Sequence, residues 1–578
     1  MNDIRRTILW VIFGFSIVLL WDQWQVYNGR QATFFPKAAP ALTAAPAVSK
    51  NEPLSGPSDL PTASVKAPVT QMPDAINSAN ESPLAVAIPR ESVVVSTDVL
   101  KLTFDSDGGS IVKSELLKHG EKSDPLHAFV LLDSSKDRVY LAQTGLLSGD
   151  AGGAMPTHKT PMTLAPGERT LGDGVNNLTI RFESPEIGGV KLIKSFTLTR
   201  GSYAVAVKHE VMNVGTSAVS PQLYFQLVRD GNKPVGESSF YSTFTGPAVY
   251  TEAKKYQKIE FKDIETKSNE NKKVDIESSA TNGYVAMVQH YFASAWLLGD
   301  GMQRDLFMRK VGVNLYSVGM ITHFDSIAPG TTKSVEAKLF SGPQEEKVLE
   351  SLAPGLELVK DYGWLTILAK PLYWLLDKIH NFIGNWGWSI MALVLLLKAA
   401  FYWLNAKAYS SMAKMKAVNP KITEMRARLK DNPQQMQQEM MRIYREEKVN
   451  PMGGCFPIMI QIPVFIALYW VLLSSVEMRN APWVMWIHDL SSPDPFYILP
   501  VVMAMTTMLQ TALNPAPPDP LQAKMMWFMP LAFSVMFFFF PAGLVLYWIT
   551  NNVLSIAQQW LINTRMGVPP QFNLPKFK

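Results

Sequence analysis

The chain has 578 residues, more than one hydrophobic core usually supports, so at least two structural units are expected. Its formal net charge of +5 is small for that length and is not gathered into one strongly basic domain, which argues against nucleic-acid recognition. The single cysteine, Cys455, excludes an intramolecular disulfide and a cysteine-based zinc site, and its place at the start of an apolar run indicates a small packing residue.

The N-terminal apolar run, residues 8–21, is short for a membrane span and follows two arginines, so it has two interpretations. A cleaved secretory signal needs small residues just after the run, whereas the chain continues with Trp21, Trp24 and Tyr27, which are typical of a membrane interface. We therefore predict an uncleaved transmembrane anchor over residues 1–28, with its N-terminus held in the cytoplasm by the arginines.

Residues 29–90 are rich in Ala, Pro, Ser and Asn and show no sustained apolar period, which predicts a periplasmic tether that buries too little surface to offset chain entropy. Alternating apolar and polar residues then predict half-buried strands over 92–104, 178–182, 191–198, 203–211 and 223–228. We expect residues 91–343 to form a large antiparallel β-sandwich outside the cytoplasm.

The sandwich carries four residues that could act as a general acid and base, namely His119, His209, Glu210 and His290. No spacing ties these residues together, and scattered histidines in a β domain are usually surface or core residues. An enzyme in the sandwich, with the spans serving as its anchor, is therefore the weaker hypothesis, and we predict that the chain is not an enzyme.

Residues 344–384 predict a helical connector followed by an amphipathic helix in the membrane interface, because apolar residues recur every three or four positions opposite Lys370 and Asp377. The remaining region, 385–578, contains five apolar runs close to the length of a span: 386–404, 455–475, 496–513, 525–540 and 543–561. With the anchor, the predicted fold class is an all-α bundle of six transmembrane helices, five of which form its core, joined to the β-sandwich.

The segment between the second and third spans, residues 405–452, is rich in Lys and Arg, which places it in the cytoplasm. Two apolar stripes flank Asn432 and Pro433, which suit an N-cap and a first helical position, so the segment is predicted to be a helical hairpin. It is either a purely structural coiled coil or an arm that meets the ribosome, a targeting factor or the emerging substrate, and the pattern leaves both interpretations open.

The five C-terminal spans contain no Asp, Glu or His, which argues against an intramembrane protease or a transporter with a titrating carboxylate. Their one full charge is Lys398, which costs about 3 kcal/mol at the centre of a helix unless water or a partner compensates it. Snorkelling to the interface and a water-filled cavity are the two explanations. Gln461, Gln510, Asn551 and Ser555, on other spans, favour a polar groove.

The membrane half also contains a dense set of specific motifs: NWG at 385–387, SMAKM at 411–415, EKVNP at 447–451, GGCFP at 453–457, WIHDL at 486–490, FMP at 528–530 and GLVLY at 543–547. These motifs resemble the YidC/Oxa/Alb family of membrane protein insertases, and specifically its Gram-negative YidC branch. In the first half of the chain the resemblance rests on layout, an anchor, a tether and a large periplasmic β domain.

The resemblance implies a groove among the five core spans, open to the cytoplasm and sideways to lipid, in which a positive residue attracts the hydrophilic part of an incoming protein. Lys398 stands where the family commonly has arginine, and a buried lysine can lose its proton whereas arginine effectively cannot. Trp548 stands where relatives often have a second tyrosine, which weakens any claim of a hydroxyl contact there. The predicted substrate groove comprises Lys398, Gln461, Gln510, Tyr547, Trp548, Asn551 and Ser555.

For release into lipid, the resemblance points to the outer side of the third and fifth spans, here Ile458, Ile462, Phe528, Met529 and Phe533. It implies a membrane protein insertase and chaperone of the bacterial inner membrane, with both termini in the cytoplasm and no nucleotide, cofactor or metal. Its implied partners are nascent membrane proteins, the lipid bilayer, the ribosome and the Sec translocon. A rival, a small-solute channel or transporter, would be favoured by inverted repeats or interrupted helix pairs, and the sequence shows neither.

Overall fold

The computed structural model describes residues 60–61, 91–121, 124, 126–149, 153–234, 243–429, 432–447, 456–514, 520–567 and 572. The predicted anchor, most of the predicted tether and Cys455 lie outside these residues. The chain divides into two compact units, one within Ala39–Lys360 and one that includes Asp361–Lys578.

The first unit is built from two nine-stranded sheets in which every pairing between strands is antiparallel. In chain order the strands are β1 (Ser92–Ser96), β2 (Leu100–Asp105), β3 (Ser110–Gly120), β4 (Ala128–Ser134), β5 (Val139–Ser148), β6 (Thr163–Leu164), β7 (Asn177–Glu183), β8 (Val190–Thr199), β9 (Ala204–Asn213), β10 (Pro221–Asp230), β11 (Gly246–Thr251), β12 (Lys255–Lys258), β13 (Ser279–Ala280), β14 (Tyr284–Gln289), β15 (Phe292–Leu298), β16 (Arg304–Gly312), β17 (Leu315–His323) and β18 (Thr332–Pro343). The sheet orders are β1-β2-β3-β4-β5-β10-β17-β16-β13 and β12-β11-β14-β15-β18-β9-β8-β7-β6.

The two sheets pack face to face, and aromatic residues fill the space between them. Phe225 of β10 lies against Trp296 of β15 with ring centroids 5.3 Å apart, and Phe104 of β2 lies against Phe196 of β8 at 4.9 Å. Strand β7 alternates exposed and buried residues, as expected for a strand with one face on a core. The predicted antiparallel sheets are therefore confirmed.

Part of the predicted tether contacts the sandwich. Leu60 packs against Leu147, Tyr224 and Ile321, and the adjacent Pro61 is buried. The tether interpretation was based on average composition, which does not identify a single apolar residue with a matching surface on the domain.

The connector is less helical than predicted. Helix α1 (Phe261–Asn269) belongs to the sandwich unit, and in the connector α2 covers only Glu346–Leu352, followed by a 3-10 helix at Leu356–Val359. Pro354 and Gly355, which has a φ of 75°, interrupt the expected continuous helix.

The second unit is helical and consists of α3 (Thr366–Ile383), α4 (Trp386–Ala400), α5 (Tyr402–Arg428), α6 (Pro433–Glu446), α7 (Phe456–Ser474), α8 (Ile498–Leu513), α9 (Pro520–Met536) and α10 (Ala542–Arg565). The predicted break after the amphipathic helix is present at Gly384, whose φ is 74°. Among the described residues no single helix has the length and apolar character to cross a membrane, whereas the pair Trp386–Ala400 and Tyr402–Met415, bent by 68°, has both.

Candidate functional site

Lys398 lies in the last turn of α4, and its side chain points into the helical unit. The residue is 5% exposed, and its Nζ donates a hydrogen bond to Ser555 Oγ of α10 at 2.7 Å. Ser555 Oγ donates in turn to the main-chain carbonyl of Asn551 at 2.7 Å. Among the described residues, the hydrogen-bond partner of the ammonium is thus a neutral hydroxyl, and its burial is costly unless water or further polar groups solvate it.

A small cavity adjoins this ammonium group. Its volume is about 30 Å³, which is room for one or two water molecules. Across it, Gln461 Nε2 of α7 donates to Asn551 Oδ1 of α10 at 2.8 Å. The lining residues are Val394, Leu397, Lys398, Phe401, Leu404, Asn405, Gln461, Val464, Tyr547 and Asn551.

The polar residues in the second half of α10 lie on two different faces of the helix. Asn551 and Ser555, four residues apart, face the cavity side. Asn552 faces α8 instead, where its Nδ2 donates to Thr507 Oγ1 at 2.9 Å, and Gln559 Nε2 donates to the Leu513 carbonyl at 3.3 Å. The second set is an interhelical contact, separate from the cavity.

Of the seven predicted groove residues, five lie at or next to this cavity, and the other two do not line it. The five are Lys398, Gln461, Tyr547, Asn551 and Ser555. Gln510 is half-buried on α8 and does not line the cavity. The Trp548 ring packs against Phe465, Phe533 and Phe537, with centroids 4.8, 6.5 and 5.2 Å away. Trp548 therefore belongs to an aromatic cluster beside the cavity rather than to its wall.

Two polar residues of the site were missing from the sequence prediction. Asn405 is 8% exposed and lines the cavity, and Gln558 Nε2 donates to the Lys398 carbonyl at 3.2 Å. Asn405 was assigned to the cytoplasmic hairpin, although its spacing of seven residues from Lys398 would place both on one face of a continuous helix.

The predicted apolar release surface is exposed in this structure where its side chains are described. Ile462 is 49% exposed, Phe528 64%, Met529 57% and Phe533 49%. The side chain of Ile458 lies outside the described residues. Large apolar side chains at this exposure suit contact with lipid or with another apolar segment.

The hairpin helices α5 and α6 pack through the two predicted apolar stripes. Ile422 and Met425 are buried, and Met436, Met440 and Ile443 pack against them. At the start of α6, the Asn432 side chain accepts a hydrogen bond from the main-chain N–H of Gln435 at 3.3 Å, as expected for an N-cap.

The candidate acid–base residues of the sandwich have separate surroundings. His209 is fully buried, its Nε2 lies 2.8 Å from Thr144 Oγ1, and burial holds the pKa of its imidazole well below the usual range. The other three have different partners: His119 with Phe292, His290 with Tyr291 and Glu210 with Lys208. The structure does not assemble the four residues into one catalytic arrangement.

Comparison with protein families gives two adjacent matches. A family described as "YidC periplasmic domain" matches residues 92–375, and one described as "60Kd inner membrane protein" matches residues 378–568. A protein of Cupriavidus necator named "Membrane protein insertase YidC" is 54% identical over 98% of this chain and 98% of its own length. This chain belongs to the YidC family of membrane protein insertases.

Other YidC proteins match over the same extent. The one from Ralstonia nicotianae is 52% identical over 98% of both chains. A solved structure described as an active YidC insertase with its first transmembrane domain resolved has a TM-score of 0.37 and 16% identity, covering 82% of this chain and 93% of that one.

Family membership indicates the cellular location of the chain. YidC family members are inner membrane proteins, and this chain is therefore an inner membrane protein with a periplasmic domain. The relatives are named as insertases rather than as enzymes, in agreement with the expectation that the chain catalyses no reaction.

Proposed function

We propose that this chain inserts integral membrane proteins into the bacterial inner membrane and helps them fold, with the cavity at Lys398 as the centre of a polar groove. The name shared by relatives that match nearly the full chain supports the activity. One observation supports the proposed groove: the Lys398 ammonium is buried, and its described hydrogen-bond partner is the uncharged Ser555 hydroxyl. Such a charge attracts polar and anionic groups because its partner does not neutralise it.

The proposed topology has six spans, both termini in the cytoplasm and the sandwich in the periplasm. Helices α4, α7, α8, α9 and α10 coincide with the five C-terminal apolar runs, which supports a five-helix core. The Lys- and Arg-rich segment 405–452 follows α4 and would lie on the cytoplasmic side.

In the proposed path, the hairpin of α5 and α6 receives a nascent chain, with the ribosome and the Sec translocon as partners. The polar end of that chain enters the groove at Lys398. Its apolar segment then leaves past the exposed release surface, which includes Ile462, Phe528, Met529 and Phe533. Because Met side chains adapt to different shapes, Met529 suits a surface that meets varied sequences.

No nucleotide is needed in this scheme. Transfer of an apolar segment from water to lipid is favourable by about 25 cal/mol per Å² of apolar surface removed from water. For a negatively charged tail that moves to the periplasm, the membrane potential adds about 2.3 kcal/mol per charge per 100 mV.

The proposal is tested by charge substitutions at Lys398 in cells depleted of their own insertase. Insertion of a single-span substrate with an acidic tail is followed by protease protection of that tail. Lys398→Arg keeps a positive charge and should support insertion, whereas Lys398→Glu repels the tail and should reduce it by about tenfold or more, equivalent to about 1.4 kcal/mol.

The matched control is Lys378→Glu, the same reversal on an exposed lysine of α3, which should insert as the parent does. A positive groove is the wrong mechanism if Lys398→Glu inserts the substrate as efficiently as Lys398→Arg.

A further inference from the structure

Helices α4 and α5 meet at a sharp break that the local sequence does not explain. Helix α4 ends at Ala400, α5 begins at Tyr402, and their axes are bent by 68°. Residues 398–404 include no proline and no glycine, which are common local causes of a kink. The other causes of a sharp bend are a π-bulge and a side chain or water molecule inserted into the helical hydrogen-bond ladder.

Gln558 of α10 supplies such a side chain. Its Nε2 donates to the Lys398 carbonyl before the break at 3.2 Å, and its Oε1 accepts from Asn405 Nδ2 after the break at 3.4 Å. The Lys398 carbonyl lies in the last turn of α4, where main-chain acceptors lack intrahelical donors. One amide is therefore bonded to both arms of the bend.

Ser555, almost one turn earlier on the same side of α10, accepts a hydrogen bond from Lys398 Nζ on α4. This side of α10 thus contacts the groove lysine through Ser555 and both arms of the bend through Gln558.

We propose that Gln558 is a positioning residue that sets the angle between the groove helix α4 and the hairpin, so that a chain received by the hairpin meets the groove at Lys398. This inference rests on the proposed insertase groove and adds the residue that joins the receiving element to the attracting charge. Gln558 acts through the Lys398 carbonyl and Asn405. Without its amide, the two arms keep their packing but lose the contact that fixes their angle.

The test substitution removes the side-chain amide of Gln558 and keeps the approximate size and shape of the side chain. Gln558→Met has nearly the same length and volume but neither hydrogen bond. Gln559→Met is the matched control, because the neighbouring amide bonds to Leu513 and Asn514 at the end of α8 instead.

The distance from the hairpin to α10 is measured in the full-length protein in lipid nanodiscs without substrate. Two spin labels are attached to cysteines introduced at exposed positions, Gln438 on α6 and Thr564 on α10, in a Cys455→Ser background that removes the single native cysteine. Insertion of a single-span substrate is measured for the same variants without labels.

Gln558→Met should shift or broaden the hairpin distance and lower insertion about fivefold or more, because it removes both neutral hydrogen bonds of the Gln558 amide. Gln559→Met should leave both at the parent values. Asn405→Leu removes only the hydrogen bond between Asn405 and Gln558, which Gln558→Met also removes, so the double variant should be no worse than the more severe single variant.

An unchanged distance distribution in Gln558→Met and Asn405→Leu overturns the proposal, and so does a changed distance with parental insertion. Additive losses in the double variant also overturn it. Because the distance is measured without substrate, this failure is distinct from failure of the groove itself, which is read from insertion by Lys398→Glu.

Discussion

Acidification from pH 7.5 to pH 5.5 should weaken the β-sandwich through His158, a buried residue that takes no part in the groove. Its main-chain N–H donates to Tyr224 Oη at 3.0 Å, and its Nδ1 lies 2.6 Å from the same oxygen. Because this hydroxyl accepts from the main chain, its own proton is directed at Nδ1, which favours the neutral imidazole. Burial, with smaller contributions from the cations Lys159, Lys194 and Arg309, lowers the pKa of His158 from 6.5 to about 3.

The direction of this pH effect follows from the different proton uptake of the folded and the unfolded chain. The unfolded chain binds a proton at His158 below pH 6.5, whereas the folded chain does so only near pH 3, so the contribution to stability is complete above pH 6.5 and is lost as the pH falls. At pH 5.5, one unit below the unfolded pKa, the loss is about 1.4 kcal/mol. Burial also lowers the pKa of His209, which adds a loss in the same direction.

The assay is urea unfolding of the full-length protein in detergent at pH 7.5, 6.5 and 5.5, read by protease resistance of the sandwich. His158→Asn keeps an acceptor near Tyr224 but cannot titrate, so it should lose about 1.4 kcal/mol less than the parent over this range. His127→Asn is the control, since this exposed histidine pairs with Asp124 at the surface. Equal losses in His158→Asn and the parent would refute the assignment to His158.

Three further substitutions test packing and capping. A Cβ at Gly387 would overlap the Trp483 ring, so Gly387→Ala should cost about 1–3 kcal/mol and lower the thermal unfolding midpoint of the helical unit; an unchanged midpoint would contradict the close approach. Asn432→Ala removes the cap on Gln435 and should cost about 1 kcal/mol, seen as faster hydrogen exchange at the start of α6, whereas parental exchange rates would show that the cap is not formed. Trp296→Ala should destabilise the sandwich by about 3–5 kcal/mol in the same urea assay, and a parental midpoint would exclude its ring from the core.

Much of the architecture could be predicted from local patterns, because each such pattern depends only on residues that are close together in the sequence. Alternation predicted antiparallel strands such as β7, and Asn432 followed by Pro433 predicted the start of α6. A lone charge in an apolar helix drew attention to Lys398, since burying an ammonium requires compensation whatever the fold.

The tertiary structure decided which of the polar residues meet. Lys398 and Ser555 are 157 residues apart in the chain, and helical periodicity alone does not specify which side of one helix faces another. For that reason the sequence did not show that Gln510 and Trp548 lie outside the wall of the Lys398 cavity, or that Asn405 and Gln558 lie close to Lys398.

The sequence by itself determined that an apolar helix carries a positive charge and that polar residues recur at helical spacing on α10. Only the tertiary structure shows that the side chains of Asn551 and Ser555 lie on the Lys398 side of α10, whereas the side chain of Asn552 contacts α8. Likewise, residues 398–404 contain no proline or glycine that would predict the bend at Phe401, and the amide bonded to both of its arms belongs to Gln558, a residue on a different helix. Periodicity is a property of one segment, whereas a binding cavity is a property of several segments packed together.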